Sequence, residues 1–141
     1  MSEWQAQALA NLDQVAISSA EKFKTAEPFP HLIIDNFLAS NIVGALVDEF
    51  PAESDPIWEV SNQKDIQVKL RSNWQKESDI PPAIQSVVHF LNSGAVMNCL
   101  ARLTGIERLI SDPYYTGGGL NCTRRGGLLD VHVDGNWHHA M

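Results

Sequence analysis

The chain has little of what would take it out of the ordinary soluble class. Its 141 residues include two cysteines, Cys99 and Cys122, which form no Cys-x-x-Cys pair and suggest no disulfide framework. A reduced, cytoplasmic setting is the expectation. No apolar run approaches the roughly 18 residues of a membrane helix, and Glu3 and Asp13 interrupt any would-be signal sequence. Basic residues are scarce: 10 Lys and Arg against 17 Asp and Glu leave a net charge of -7, the wrong sign for a nucleic-acid partner, which needs a basic stripe. Gly117-Gly118-Gly119 lacks the Gly-x-x-x-x-Gly-Lys-Ser/Thr form of a phosphate cradle. No serine sits in a Gly-x-Ser-x-Gly elbow, so nucleotide binding and serine hydrolysis are set aside.

What is present suits one globular domain over residues 1–141. Apolar residues make up 44% and charged residues 19%, as usual for soluble proteins, and a chain this long buries roughly 70% of its unfolded surface. Ser2 and Gln5 have the spacing of a capping box, and Leu9, Leu12 and Ala16 continue at helical intervals, predicting a first helix to about Ala20. Pro28 and Pro30 break the pattern, and the apolar run Leu32-Ile33-Ile34 reads as a buried strand. Ser40 is placed to cap a second helix whose inward stripe is Val43, Leu46, Val47 and Phe50, ending at Pro51. Ala52 to Pro56 is a loop.

From Ile66 to Arg71 apolar and polar residues alternate strictly, the mark of a half-exposed strand with Lys69 and Arg71 facing solvent or a cleft. Pro81-Pro82 opens a helix lined by Ile84, Val87, Val88 and Leu91. Another, with Val96, Leu100 and Leu103, stops at Gly105. Ile106 to Ile110 reads as a short strand and Asp112-Pro113 as a turn. Leu120 to Arg124 and Leu128 to Asp134 read as strands joined in a hairpin by Gly126-Gly127. Helical support over 1–105, followed by the start of a metal-bearing sheet over 106–141, is an α+β order.

The chemistry gathers near the end of the chain. Residues i and i+2 of a strand share a face, so Leu129, Val131 and Val133 line one side while Asp130, His132 and Asp134 line the other. An imidazole and a carboxylate two apart on a stiff strand are fixed donors for iron(II), manganese or zinc. Asp130 is expected to orient a ligand rather than to bind. Asn136 and Trp137 border a possible substrate pocket, and Arg125 is the basic residue placed to meet an anionic substrate. His138 or His139 would complete a zinc hydrolase site only if Gly135-Asn136-Trp137 turned the chain back.

Taken together, Thr104-Gly105-Ile106, Asp112-Pro113, Gly117-Gly118-Gly119-Leu120, Gly126-Gly127-Leu128 and His132-Val133-Asp134 resemble the iron(II)/2-oxoglutarate-dependent oxygenases, in particular the prolyl-4-hydroxylase-like branch. Pro28-Phe29-Pro30-His31-Leu32-Ile33-Ile34-Asp35-Asn36-Phe37-Leu38 also resembles the opening strand of that branch. The resemblance implies N-terminal helices packed on a double-stranded β-helix, or jelly roll. It also implies His132 and Asp134 as two ligands of iron(II), with 2-oxoglutarate and O2 as co-substrates in hydroxylation of a substrate the motif does not specify.

The family's second histidine, and the arginine or lysine that grips the far carboxylate of 2-oxoglutarate, lie well beyond the first motif and have no match here. The expectation is therefore an N-terminal part of a longer oxygenase, weak or inactive by itself, with an incomplete jelly roll whose open sheet edges invite self-association. The alternative is a non-catalytic interaction domain of the same fold.

Overall fold

The computed structural model describes residues 1–63, 66–74, 76–112 and 118–131. Helices and an antiparallel sheet make it an α+β chain. Two compact units form, Met1–Phe50 with Lys76–Thr116, and Pro51–Gln75 with Gly117–Met141. Among the described residues no helix is long and apolar enough to cross a membrane.

The first unit is helical. Helix α1 (Glu3–Ser18) starts where the capping spacing predicts, with the Ser2 amide donating to Gln5 Oε1 at 2.8 Å. Its Ala8, Leu12 and Ala16 are buried because they recur every four residues on one face. Helix α2 (Ala20–Lys24) follows at once, so helical structure runs a few residues past the expected end. Helix α5 (Gly94–Thr104) is bounded as its sequence predicts. Ser93 Oγ accepts from the Val96 amide at 3.4 Å, and Gly105 ends the helix at φ 76°, its amide donating to the Ala101 carbonyl at 2.9 Å. Glycine adopts that left-handed conformation without the usual steric cost. Val96, Cys99 and Leu103 of α5 close on Ala8, Leu12, Ala16 and Phe90 to form the core.

Two helices differ from expectation in phase. Helix α3 (Ser40–Asp48) is preceded by Ala39 as its extended N-cap, so Ser40 lies inside the helix and does not cap it. The predicted stripe is rotated outward, with Val43 44%, Val47 68% and Phe50 43% exposed. Ile42, Ala45, Leu46 and Glu49 are the less exposed positions instead. The reason lies in helix α4 (Pro82–Leu91), whose N-cap residue, Pro81, has no side-chain acceptor. Glu49 Oε2 accepts from the Ala83 amide at 2.7 Å and the Ile84 amide at 3.4 Å, and so satisfies the donors that a helix start leaves unpaired.

A carboxylate there also complements the helix dipole. Glu49→Ala is accordingly expected to lower stability in urea denaturation by about 1–2 kcal/mol, the range of a lost cap, whereas exposed Asp48→Ala stays within about 0.5 kcal/mol. Equal effects of the two would contradict the capping role. Helix α4 buries Ile84, Val87 and Phe90. Leu91, expected on the inward stripe, is 39% exposed.

Two predicted strands do not form. Leu32 and Ile34 pack against the helical core while Ile33 is 78% exposed. The run keeps a period of two, yet no neighbouring strand among the described residues bonds it into a sheet. Ile106 to Ile110 turns instead of extending. Arg108 sits at φ 59°, outside the β region, and Ile110 is 90% exposed.

The second unit carries the sheet, whose two longest strands lie between α3 and α4 in the chain. β1 (Trp58–Gln63), unanticipated from the sequence, pairs antiparallel with β2 (Gln67–Ser72), which matches the predicted alternating stretch. β3 (Asn121–Cys122) and β4 (Leu128–Leu129) both pair antiparallel with β2.

Candidate functional site

The site is built outward from β2. Its register opposes Leu70 to Val60 on β1 and to Cys122 on β3, and opposes Val68 to Leu128 on β4. Directly opposed residues share a face. Val60, Val68, Leu70, Cys122 and Leu128 therefore form one largely apolar face, while Gln67, Lys69 and Arg71 belong to the other. Ser72 ends the apolar row. It is buried, and its hydroxyl accepts from the Leu120 amide at 2.8 Å.

The expected hairpin across Gly126-Gly127 does not form. β1 already occupies one edge of β2 along its whole length, so β3 and β4, which pair with different residues of β2, must both lie along its other edge. They are two pieces of one interrupted strand. Between them Thr123 to Gly127 leaves the ladder opposite Lys69 and returns.

A turn accomplishes the return. The Gly127 amide donates to the Arg124 carbonyl at 2.8 Å, and Gly126 adopts φ 83°, the positive φ that the third residue of a type II turn requires. A Cβ on Gly127 would lie 2.7 Å from the Val68 carbonyl oxygen and 2.9 Å from that of Arg124, so only glycine fits. Arg124 is braced on Glu53, its guanidinium donating to the Glu53 carbonyl at 2.9 Å and pairing with the Glu53 carboxylate. Arg125, the second residue of the turn, is exposed.

This excursion walls one side of an open hollow of about 200 Å³ on the apolar face, lined by Val60, Val68, Lys69, Leu70, Arg124 and Arg125 among others. Nothing in the sequence marked the hollow. Gly-Gly after two arginines carries a turn signal, but a turn between two neighbouring strands and a turn back into one strand look alike until the pairing partner is known.

Of the predicted site residues, Arg125 lies at the hollow. His132, Asp134, Asn136 and Trp137 fall outside the described residues, as do His138 and His139. The strand that leads to them is described as far as Val131. The Asp130 amide donates to the Ile66 carbonyl at 2.7 Å, continuing the ladder one step past β4, and Asp130 Oδ1 accepts from the Val131 amide at 2.7 Å. Leu129 is 58% exposed and Val131 fully exposed, so the side opposite Asp130 meets no core.

Other chemistry is sparse. Among the described residues no three His, Cys, Asp or Glu side chains gather to hold a metal ion. Burial pushes the Cys99 thiol above its ordinary range. Arg102 beside it pulls the other way, and the Asp13 carboxylate, which accepts from both Cys99 and Arg102, adds to the rise. A thiol held protonated is a poor nucleophile and a poor metal ligand, so Cys99 serves the core. His89 pairs with Glu77 on the surface of the helical unit, and His31 Nδ1 bonds to the Phe29 carbonyl at 2.8 Å.

No protein-family model matches the chain, and no curated protein and no solved structure matches it either.

Proposed function

We propose that the chain is the metal-bearing part of an iron(II)/2-oxoglutarate-dependent oxygenase of the prolyl-4-hydroxylase-like branch, with His132 and Asp134 as two of the iron ligands. The observation that supports this reading is the ladder step at Asp130, which opposes Ile66. It places Asp130 on the face of Val68, Leu70 and Leu128. The proposal extends that alternation to His132 and then Asp134, which would bring both donors to the same face as Val68 and Leu70.

Donor chemistry fits the metal. One imidazole and one carboxylate are donors of the two-histidine, one-carboxylate set that holds iron(II) with open positions. In this reading a third protein ligand, and the cation that grips the far carboxylate of 2-oxoglutarate, come from outside the described residues. The sheet of the second unit is then part of a jelly roll. When bound, iron(II) with 2-oxoglutarate activates O2 to hydroxylate a C–H bond. The chain's own part is to fix two donors on a stiff strand, to present Asn136 and Trp137 on the substrate side, and to keep the reacting centre on the face away from Lys69 and Arg71. The two free thiols accord with a cytoplasmic location, and self-association through open sheet edges belongs to the same proposal.

The test is equilibrium binding of manganese(II), which replaces iron(II) without oxidation, in the presence and absence of 2-oxoglutarate. Co-chelation by 2-oxoglutarate is expected to tighten the metal, and by linkage the metal tightens 2-oxoglutarate by the same factor. His132→Ala and Asp134→Ala should each weaken the metal by more than the roughly 10- to 100-fold that losing an outer-shell partner costs. Metal binding indifferent to 2-oxoglutarate, or unchanged in both variants, would overturn the proposal.

A further inference from the structure

We propose that the hollow on the apolar face of the sheet is a binding site for a small organic carboxylate with an apolar body. Its charged end would be held by Arg125 and its body would rest on Val60, Val68 and Leu70. The inference needs no metal and does not depend on the oxygenase reading.

Four observations converge on it. The first is the floor. Val60 is 68% exposed although its neighbour across the strand, Leu70, is 4% exposed, so a branched aliphatic side chain stands open beside a buried one. An apolar body laid there removes that surface from water.

The second is charge. In a chain of net charge -7 the wall of this hollow is Arg124-Arg125. Arg124 is already engaged by Glu53. Arg125 has no hydrogen bond or ion pair among the described residues, so its planar fork of donors is available to a carboxylate, which it can hold in a bidentate pair. Lys69 also lines the hollow, from a position that register gives to the other face. Arg125 is the guanidinium at the wall that is not already paired among the described residues, and a planar carboxylate matches its fork of donors.

Backbone geometry is the third. Five residues leave the ladder opposite one residue of β2. The return demands a positive φ at Gly126 and a Cβ-free residue at Gly127, where a plain strand would have run straight on. Interruptions of this kind recur next to binding sites because they re-aim side chains, and here the re-aimed side chain is Arg125.

Size is the fourth. At about 200 Å³ the hollow falls below the roughly 300–1,000 Å³ of pockets for drug-sized ligands. A small acid matches that volume.

Hexanoate is the probe, titrated into isotope-labelled protein in chelator-treated, metal-free buffer, with hexanamide as its uncharged counterpart and acetate as the charge without the body. The expected result is saturable shifts of the Val60, Val68, Gly126 and Gly127 amides with hexanoate. Hexanamide should bind about tenfold more weakly, the loss of one charge-assisted pair, and acetate, which lacks the four methylenes, on the order of 100-fold more weakly. Arg125→Gln should weaken hexanoate about tenfold and leave hexanamide unchanged, and its spectrum reports directly that the fold is kept. Equal binding of hexanoate and hexanamide, hexanoate binding unaffected by Arg125→Gln, or shifts centred elsewhere would overturn the proposal. Since the buffer holds no metal, none of these outcomes bears on the ligand role of His132 and Asp134.

Discussion

Alanine at Gly127 is expected to destabilise the protein by about 2–3 kcal/mol, the upper part of the range for forcing an atom into packed structure. The added Cβ meets two backbone oxygens and the Thr123 methyl, all under 3.0 Å away. Neither carbonyl can swing aside cheaply, because the Val68 oxygen belongs to the central strand and the Arg124 oxygen accepts the turn's own hydrogen bond. Relief must come from β4, which is only two residues long. The Asp130 amide, bonded to Ile66, should therefore exchange with solvent markedly faster in this variant. Gly126→Ala has open space but a positive φ and should cost only about 1–2 kcal/mol. Gly44→Ala, in the middle of α3 with nothing near its Cβ, should stabilise by roughly 0.5–1 kcal/mol. If Gly127→Ala proved no worse than Gly126→Ala, the tight return into β4 would be wrong.

The other large effect belongs to the helical core. Leu12 is 3% exposed in the middle of the buried row of α1, with alanines one turn before and one turn after it. Those small neighbours cannot expand to fill a void. Leu12→Ala should thus lie in the middle or upper part of the roughly 2–5 kcal/mol range for buried leucine truncations, because the cost grows with the cavity left behind. Ile17→Ala on the same helix, 72% exposed, should stay within about 0.5 kcal/mol. Urea denaturation followed by helical circular dichroism separates the two. Similar midpoints would mean that α1 does not anchor the core.

Both predictions concern contacts that are unequally visible in the sequence. The start of α1, the end of α5 at Gly105 and the Pro81-Pro82 opening of α4 were legible because their determinants lie within four residues of one another. The stripe on α3 was not, because Glu49 turns inward to meet amides more than thirty positions further along. The Leu32–Ile34 run is apolar enough for a strand, but strand formation depends on a partner, and the run packs on helices instead. β1 was missed for a related reason. Past Trp58 and Val60 its sequence is polar, and its pairing with β2 defines it. Gly126-Gly127 was rightly seen as a turn but misassigned in topology, since only the register with Gln67 and Val68 shows that the chain returns to the same edge. The metal donors are the reverse case. His-x-Asp is plain in the sequence, whereas residues 132–141 lie outside what the structure describes.

The most direct measurement of the central claim is paramagnetic broadening by substoichiometric manganese(II) in isotope-labelled protein. The account predicts that the His132 imidazole and the Asp134 carboxylate signals broaden first and together, followed by the Asp130 and Leu128 amides, while the His31 and His89 rings stay sharp. Broadening of His132 without Asp134, or a centre that moves to His138 or His139, would contradict it.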